Sequence, residues 1–72
     1  MSDPHVEIRQ RLADNMRRYR REKGWFQEEL AHQAGVHRTY ISGVERLVRN
    51  PTITIVGRIA EALGVAVGDL VD

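Results

Sequence analysis

The sequence predicts an all-α domain, and three observations support this prediction. Apolar residues recur at intervals of three and four along most of the 72-residue chain, which is the period of an amphipathic helix. No segment alternates apolar and polar residues as a half-buried strand would. Turn residues separate the periodic segments at Gly24, Gly35, Pro51 and Gly64. The prediction is therefore one domain over residues 1–72, built from five short helices.

The first helix is predicted to start after Asp3, whose carboxylate can cap it, with Pro4 at the first helical position. It is expected to run to about residue 23 and to end at Gly24 in the left-handed conformation. Its predicted inward residues are Ile8, Leu12, Met16 and Tyr19. The arginines expected to be solvated are Arg9, Arg11, Arg17, Arg18 and Arg21.

The second and third helices are predicted over about residues 27–33 and 38–46, with a sharp reversal at Gly35 between them. Trp25, the only tryptophan, is expected to enter the core just before the second helix. The predicted inward residues of these two helices are Leu30, Ala31, Ala34, Ile41 and Val44.

The fourth helix is predicted over residues 53–63, after a break at Asn50 and Pro51, with Thr52 as its N-cap. Gly64 is expected to end it. A fifth helix over residues 67–71 would be anchored by Leu70. The apolar face of the fourth helix is predicted to contain Val56, Ile59, Ala60 and Leu63.

Composition excludes several classes of protein. The chain has no cysteine, so neither disulfides nor a thiolate zinc site can stabilise it. No apolar run is long enough for a signal peptide or a membrane span, and a soluble cytoplasmic protein is expected. Residues 1–26 carry seven Lys and Arg against four acids, whereas residues 50–72 carry one against three. This asymmetry is compatible with an anionic partner, although such runs are more often solvated helix faces.

The segment from Gln27 to Glu45 suits a helix-turn-helix motif, in which two short helices flank a glycine-containing turn and the second enters the DNA major groove. Ala31 is small where the two helices are expected to cross. The outward face of the third helix offers side chains that can hydrogen-bond base edges. These are Arg38, Thr39 and Ser42, with His37 at the start of the helix. Double-stranded DNA is therefore the predicted partner.

A more specific pattern combines Arg20, Gly24, QEELA, AGV, YIS, VER, NPT and ALGV within the run RRYRREKGWFQEELAHQAGVHRTYISGVERLVRNPTITIVGRIAEALGV. This combination resembles the XRE-type helix-turn-helix family, which includes lambda-type phage repressors, Cro proteins and restriction-modification controllers. The resemblance covers about residues 12–70. It implies a lambda-repressor-like fold and a transcription regulator that binds DNA, not an enzyme.

The resemblance also implies a role for each matching position. Base-facing positions are occupied by Arg38, Thr39, Ser42 and Gly43. Phosphate-facing positions are occupied by Gln27, Tyr40, Arg46, Arg49 and Asn50. The family usually has a structural ion pair beneath the recognition helix at the positions of Arg20 and Glu45.

Some positions depart from the family pattern. Phe26 and His37 stand where Ser or Thr usually caps the two helices of the motif, so weaker caps are expected there. Leu47 replaces a glycine and must adopt a positive φ or a different turn, which affects the placement of Arg49. Gly43 removes a side chain that could contact bases and is expected to add backbone flexibility.

Neither a metal site nor a hydrolytic site is predicted. His5, His32 and His37 share no ligand spacing and lack carboxylates at matching offsets, which favours surface histidines. Ser42 has no oxyanion loop or nucleophile turn around it. No cofactor is therefore expected.

Two functions remain open. The first is a regulator that binds a palindromic operator as a homodimer, because one helix reads only about four to six base pairs. Since the chain ends just after the fifth helix, dimerisation is expected through the domain itself. The apolar residues least needed by the core are Ile55, Val65, Val67 and Val71. The alternative is an antitoxin-type module whose acidic C-terminal end binds a small protein partner while the motif autoregulates its operon.

Overall fold

Five helices follow one another in the computed structural model, which describes residues 4–72. They are α1 (Pro4–Glu22), α2 (Gln27–Ala34), α3 (Arg38–Glu45), α4 (Ile53–Leu63) and α5 (Val67–Val71), with no strand among the described residues. The all-α prediction and the order of the five helices are confirmed. Asp3, the predicted cap of α1, lies outside the described residues.

The ends of the helices follow from single residues. Gly35 ends α2 with a φ of 71° and Gly64 ends α4 with a φ of 73°, a left-handed conformation that a Cβ atom disfavours. The Thr52 hydroxyl accepts a hydrogen bond from the backbone N–H of Ile55 at 3.2 Å. The predicted cap of α4 is thereby confirmed.

The core lies between the five helices, each of which contributes at least one buried residue to it. α2 packs against α3 and α4, while α1 packs against α3 and α5. The largest fully buried side chains are Met16, Leu30, Ile41, Ile59, Leu70 and Val44. All six were predicted to face inward, and Leu70 anchors α5 as expected. Trp25 is partly buried and packs against this core.

Ile8 is an exception, because 47% of its surface is exposed. A step of four residues turns a helix about 40° beyond a full turn. Ile8, two such steps before Met16, therefore lies about 80° round α1 from the centre of the buried face. Ile8 instead borders a shallow groove that is also lined by Pro51, Ile53 and Val71. The prediction that it faces inward is wrong.

None of the described helices is long and apolar enough to cross a membrane.

Candidate nucleic-acid interface

The reversal between α2 and α3 sets the position of the third helix. Gly35 closes α2, and the backbone N–H of Val36 donates to the carbonyl oxygen of Ala31 at 3.0 Å. α3 then buries Ile41 and Val44 against the core and leaves Arg38 exposed at its start. One face of α3 is thus held and the other is accessible.

The N-terminal end of α3 is capped by His37. Its Nδ1 accepts a hydrogen bond from the backbone N–H of Thr39 at 3.2 Å and lies 2.9 Å from the Thr39 hydroxyl oxygen. A side-chain cap is therefore present at this position, with an imidazole nitrogen in place of the usual hydroxyl as acceptor. That this cap is weaker than a hydroxyl cap stays a prediction.

Phe26 stands at the N-cap of α2 and has no side-chain acceptor, so the helix begins without a side-chain cap as expected. Phe26 as a whole is 84% exposed. It borders two shallow depressions, and Arg38 borders both of them. An apolar ring therefore lies beside the exposed end of α3.

The C-terminal end of α3 is held by the buried carboxylate of Glu45, which is 4% exposed. Arg20 binds it with two hydrogen bonds, from Nε to Oε2 and from Nη2 to Oε1, each 3.0 Å long. The side-chain amide of Gln27 donates to Oε1 at 3.1 Å. The ion pair expected at Arg20 and Glu45 is thus present, and it is supported from α2.

Two further arginines of α1 reach the same end of α3. Nη2 of Arg17 donates to the backbone oxygen of Glu45, and Nη2 of Arg9 donates to that of Leu47, both at 2.9 Å. The last carbonyl groups of a helix lack intrahelical partners and attract cations. The prediction that Arg9 and Arg17 are solvated is therefore wrong, whereas Arg11, Arg18 and Arg21 are exposed as predicted.

Sequence reasoning overlooked this role, although for Arg9 the spacing contained a signal. Arg9 precedes Met16 by seven residues, so it lies within about 20° of this buried residue around α1. An arginine so close to the apolar face needs a polar partner, because a buried charge is unfavourable without one.

The turn after α3 folds back over the helix. Leu47 adopts a φ of 63°. Of the two expected alternatives, a positive φ or a different turn, the first is therefore the one observed. The Cγ and Cδ atoms of Arg49 then lie only 2.8 and 2.9 Å from the point where a Cβ on Gly43 would stand. The Arg49 guanidinium carbon is 5.4 Å from the centre of the Tyr40 ring.

Gly43 is consequently buried. The expectation that it faces the bases must be corrected, because Arg49 covers it, whereas the expected backbone flexibility stays a prediction. Nothing in the sequence around Gly43 indicates that the side chain of a residue six positions later would occupy the space left by the absent side chain of Gly43.

The remaining predicted site residues are distributed around this surface. Nε of Arg46 donates to the Ser42 hydroxyl at 3.2 Å, Thr39 and Asn50 are exposed, and Tyr40 is partly buried. Gln27 is joined to α3 through Glu45, whereas Asn50 lines the shallow groove that also contains Ile8 and Val71.

The predicted dimer residues lie at the edge of the core. Ile55, Val65 and Val67 are partly buried and pack against it, and their place in a dimer interface stays a prediction. Val71 lines the shallow groove that also contains Ile8 and Ile53. Ile53 is 74% exposed, and sequence reasoning did not single it out for the surface.

No group of three or more His, Cys, Asp or Glu side chains in the described part of the chain could hold a metal ion.

Comparisons with known proteins agree with this geometry. The helix-turn-helix family model matches residues 16–70. A hypothetical transcription factor of Neisseria meningitidis serogroup B is 52% identical over 60 residues, which are 83% of this chain and 57% of that protein. The control protein C.SmaI of Serratia marcescens is 43% identical over 65 residues, which are 90% of this chain and 77% of that protein. This chain thus spans little more than half the length of the Neisseria relative.

Solved structures are also similar. The crystal structure of the hypothetical transcription factor NHTF from Neisseria has a TM-score of 0.90 at 44% identity, covering 100% of this chain and 83% of that chain. C.Esp1396I bound to a 19 base pair DNA duplex has a TM-score of 0.77 at 39% identity, covering 82% of this chain and 77% of that chain. These relatives are named as transcription factors and control proteins, not as enzymes.

Proposed function

Because the chain belongs to the XRE-type helix-turn-helix family, we propose that it is a DNA-binding regulator of transcription that inserts α3 into the major groove. The observation that carries this proposal is the exposed N-terminal end of α3, whose opposite end is fixed by Glu45 and its partners. C.Esp1396I, which is similar in structure, was solved on a DNA duplex. The regulator would act in the cytoplasm, on DNA.

Base recognition is assigned to Arg38, Thr39, Ser42 and His37. Arg38 can donate two parallel hydrogen bonds to guanine, the commonest specific contact in the major groove. The cap also fixes the chemistry of His37. Because its Nδ1 accepts the Thr39 N–H, the proton of the neutral ring is on Nε2, which can only donate. His37 would therefore bind an acceptor, such as a guanine or phosphate oxygen.

Phosphate contacts are assigned to Gln27, Tyr40, Arg46, Arg49 and Asn50. The Gln27 amide has a second N–H and an oxygen beyond the donor that binds Glu45. Contacts of this kind position a protein on the duplex without reading its sequence.

We further propose that two copies bind a palindromic operator, since one recognition helix covers only about four to six base pairs. The shallow groove lined by Ile8, Ile53 and Val71 offers exposed apolar surface for the second copy. Ile55, Val65 and Val67 remain further candidates for the contact between the two copies.

The excess of acidic residues after Asn50 favours the antitoxin alternative. One of these residues, Asp69, has a structural role in the fold. Oδ2 of Asp69 accepts a hydrogen bond from the backbone N–H of Ala66 at 3.0 Å and thus caps α5. Co-purification of a second, small chain would support that alternative. Without such a partner, the DNA-binding regulator is the better-supported function.

Selection of bound sequences from a random pool of duplex DNA tests the proposal. The selected sites should form a palindrome with half-sites about one helical turn apart. Titrations should then give tighter binding to the selected site than to a scrambled one at every salt concentration, with two protomers per duplex. Equal affinity for both duplexes would contradict sequence-specific binding.

A further inference from the structure

We propose that Gly43 is a positioning residue. Because it lacks a side chain, Arg49 has room to lie across α3, where its guanidinium contacts a DNA phosphate beside Tyr40. This proposal rests on the proposed function, because it concerns how a DNA contact is prepared in the free protein.

The backbone brings Arg49 to this place. The turn reverses at Leu47, whose φ is 63°. The backbone N–H groups of Val48 and Arg49 then both donate to the carbonyl oxygen of Gly43, at 2.9 and 3.1 Å. Arg49 is therefore anchored by its own main chain directly over Gly43.

The side chain of Arg49 fills the space that any other residue at position 43 would occupy. A Cβ on Gly43 would lie 2.8 Å from Cγ, 2.9 Å from Cδ and 3.3 Å from Cβ of Arg49. Carbon atoms that are not bonded are favourable neighbours only at about 3.5 to 4.0 Å. A methyl group at position 43 must therefore displace the arginine.

The ring of Tyr40 lies beside the guanidinium group of Arg49. Tyr40 precedes Gly43 by three residues and so lies on the same face of α3. Its ring packs partly against the core, which makes it a fixed support. The guanidinium carbon of Arg49 is 5.4 Å from the ring centre, within the range of a cation–π interaction.

This arrangement prepares Arg49 for an anion. A guanidinium group presents several N–H donors in one plane, and this geometry matches phosphate oxygens. A free arginine side chain loses rotational freedom when it binds, whereas a side chain held in advance loses less. The arrangement also explains a glycine in the middle of α3, where glycine is otherwise unfavourable.

The test compares Gly43→Ala, Arg49→Ala and the double variant in titrations of the selected duplex over a range of salt concentrations. Arg49→Ala should weaken binding severalfold and reduce the slope of log affinity against log salt by about 0.9 for each protomer, or about 1.8 for two protomers on one duplex. Gly43→Ala should lose much of the same affinity. The double variant should bind no more weakly than Arg49→Ala, because the two substitutions remove the same phosphate contact.

Gly57→Ala is the matched control. Gly57 also lies inside a helix, and a Cβ there would meet no atom within 4 Å. It should leave DNA affinity and salt slope unchanged. Circular dichroism and thermal unfolding of each variant separate loss of the fold from loss of the contact.

A second measurement needs no substitution at Gly43. The NMR order parameter of the Arg49 side-chain Nε–H in the free protein should be higher than that of the exposed Arg21. Equal mobility of the two side chains would overturn the proposal. So would additive losses in the double variant, or an unchanged salt slope in Arg49→Ala. The absence of sequence-specific binding by the unsubstituted protein would instead overturn the proposed function.

Discussion

The two ends of α3 are built in opposite ways. At the C-terminal end, Glu45 is buried and receives hydrogen bonds from Arg20 and Gln27, while Arg17 binds its backbone oxygen. At the N-terminal end, Arg38 is exposed, and among the described residues the side-chain hydrogen bonds near it are those between His37 and Thr39. One end is tied to α1 and α2, and the other carries side chains that are free to meet a partner.

This difference shows how a small domain can present a recognition helix without burying all of it. α3 has only eight residues, too few to form a stable helix alone. Its position therefore depends on contacts that lie away from the DNA-facing end. We expect substitutions at the C-terminal end to change mainly stability, and substitutions at the N-terminal end to change mainly binding.

The largest effect is expected for Arg20→Ala. It would leave the buried carboxylate of Glu45 without its two-bond partner, and breaking a buried ion pair typically costs 3 to 5 kcal/mol. Because Arg17 and Gln27 still approach this carboxylate, a loss near the lower limit, about 3 kcal/mol, is expected. Urea unfolding measures it, with Arg21→Ala at an exposed position as control. A loss as small as that of the control would show that the ion pair of Arg20 and Glu45 does not fix the C-terminal end of α3.

A smaller effect is expected for His37→Ala. The substitution removes the acceptor for the Thr39 N–H, and loss of an N-cap costs about 1 kcal/mol. Chemical denaturation measures this cost, and His32→Ala, at an exposed position of α2, is the matched control. If His37→Ala destabilised the domain as much as Arg20→Ala, the N-terminal end would not be the loosely held one.

The smallest effect, and one of opposite sign, is expected for Phe26→Ser. Phe26 is 84% exposed and its backbone already has the extended N-cap conformation. A serine there would supply the absent acceptor, and Glu29 at the third helical position would complete a capping box. A gain of about 0.5 to 1 kcal/mol in the free energy of unfolding is expected. A net loss in thermal unfolding would show that the phenyl ring stabilises the fold.

The sequence predicted those parts of the fold that local rules govern. Gly35 and Gly64 end helices because only glycine readily adopts the conformation required there. Leu30 and Ile41 are buried because they follow the helical period. The fold class followed from such features.

The parts that could not be predicted depend on long side chains and on distant partners. Periodicity gives the direction of a Cβ atom, but not the carbonyl oxygen that the guanidinium of Arg9 or Arg17 will reach. The contact of Arg49 with Gly43 depends on the turn at Leu47, for which the sequence left two conformations open. The roles assigned to individual DNA-contacting residues stay predictions.

Base recognition by the exposed end of α3 is tested most directly by comparing Arg38→Ala with the unsubstituted protein, using the selected site and single base-pair variants of it. The unfolding temperature should be unchanged. Binding should be weakened by about 1 to 3 kcal/mol, with relaxed preference at one base pair per half-site. Uniform weakening on every duplex, or no weakening, would contradict base recognition by the exposed end of α3.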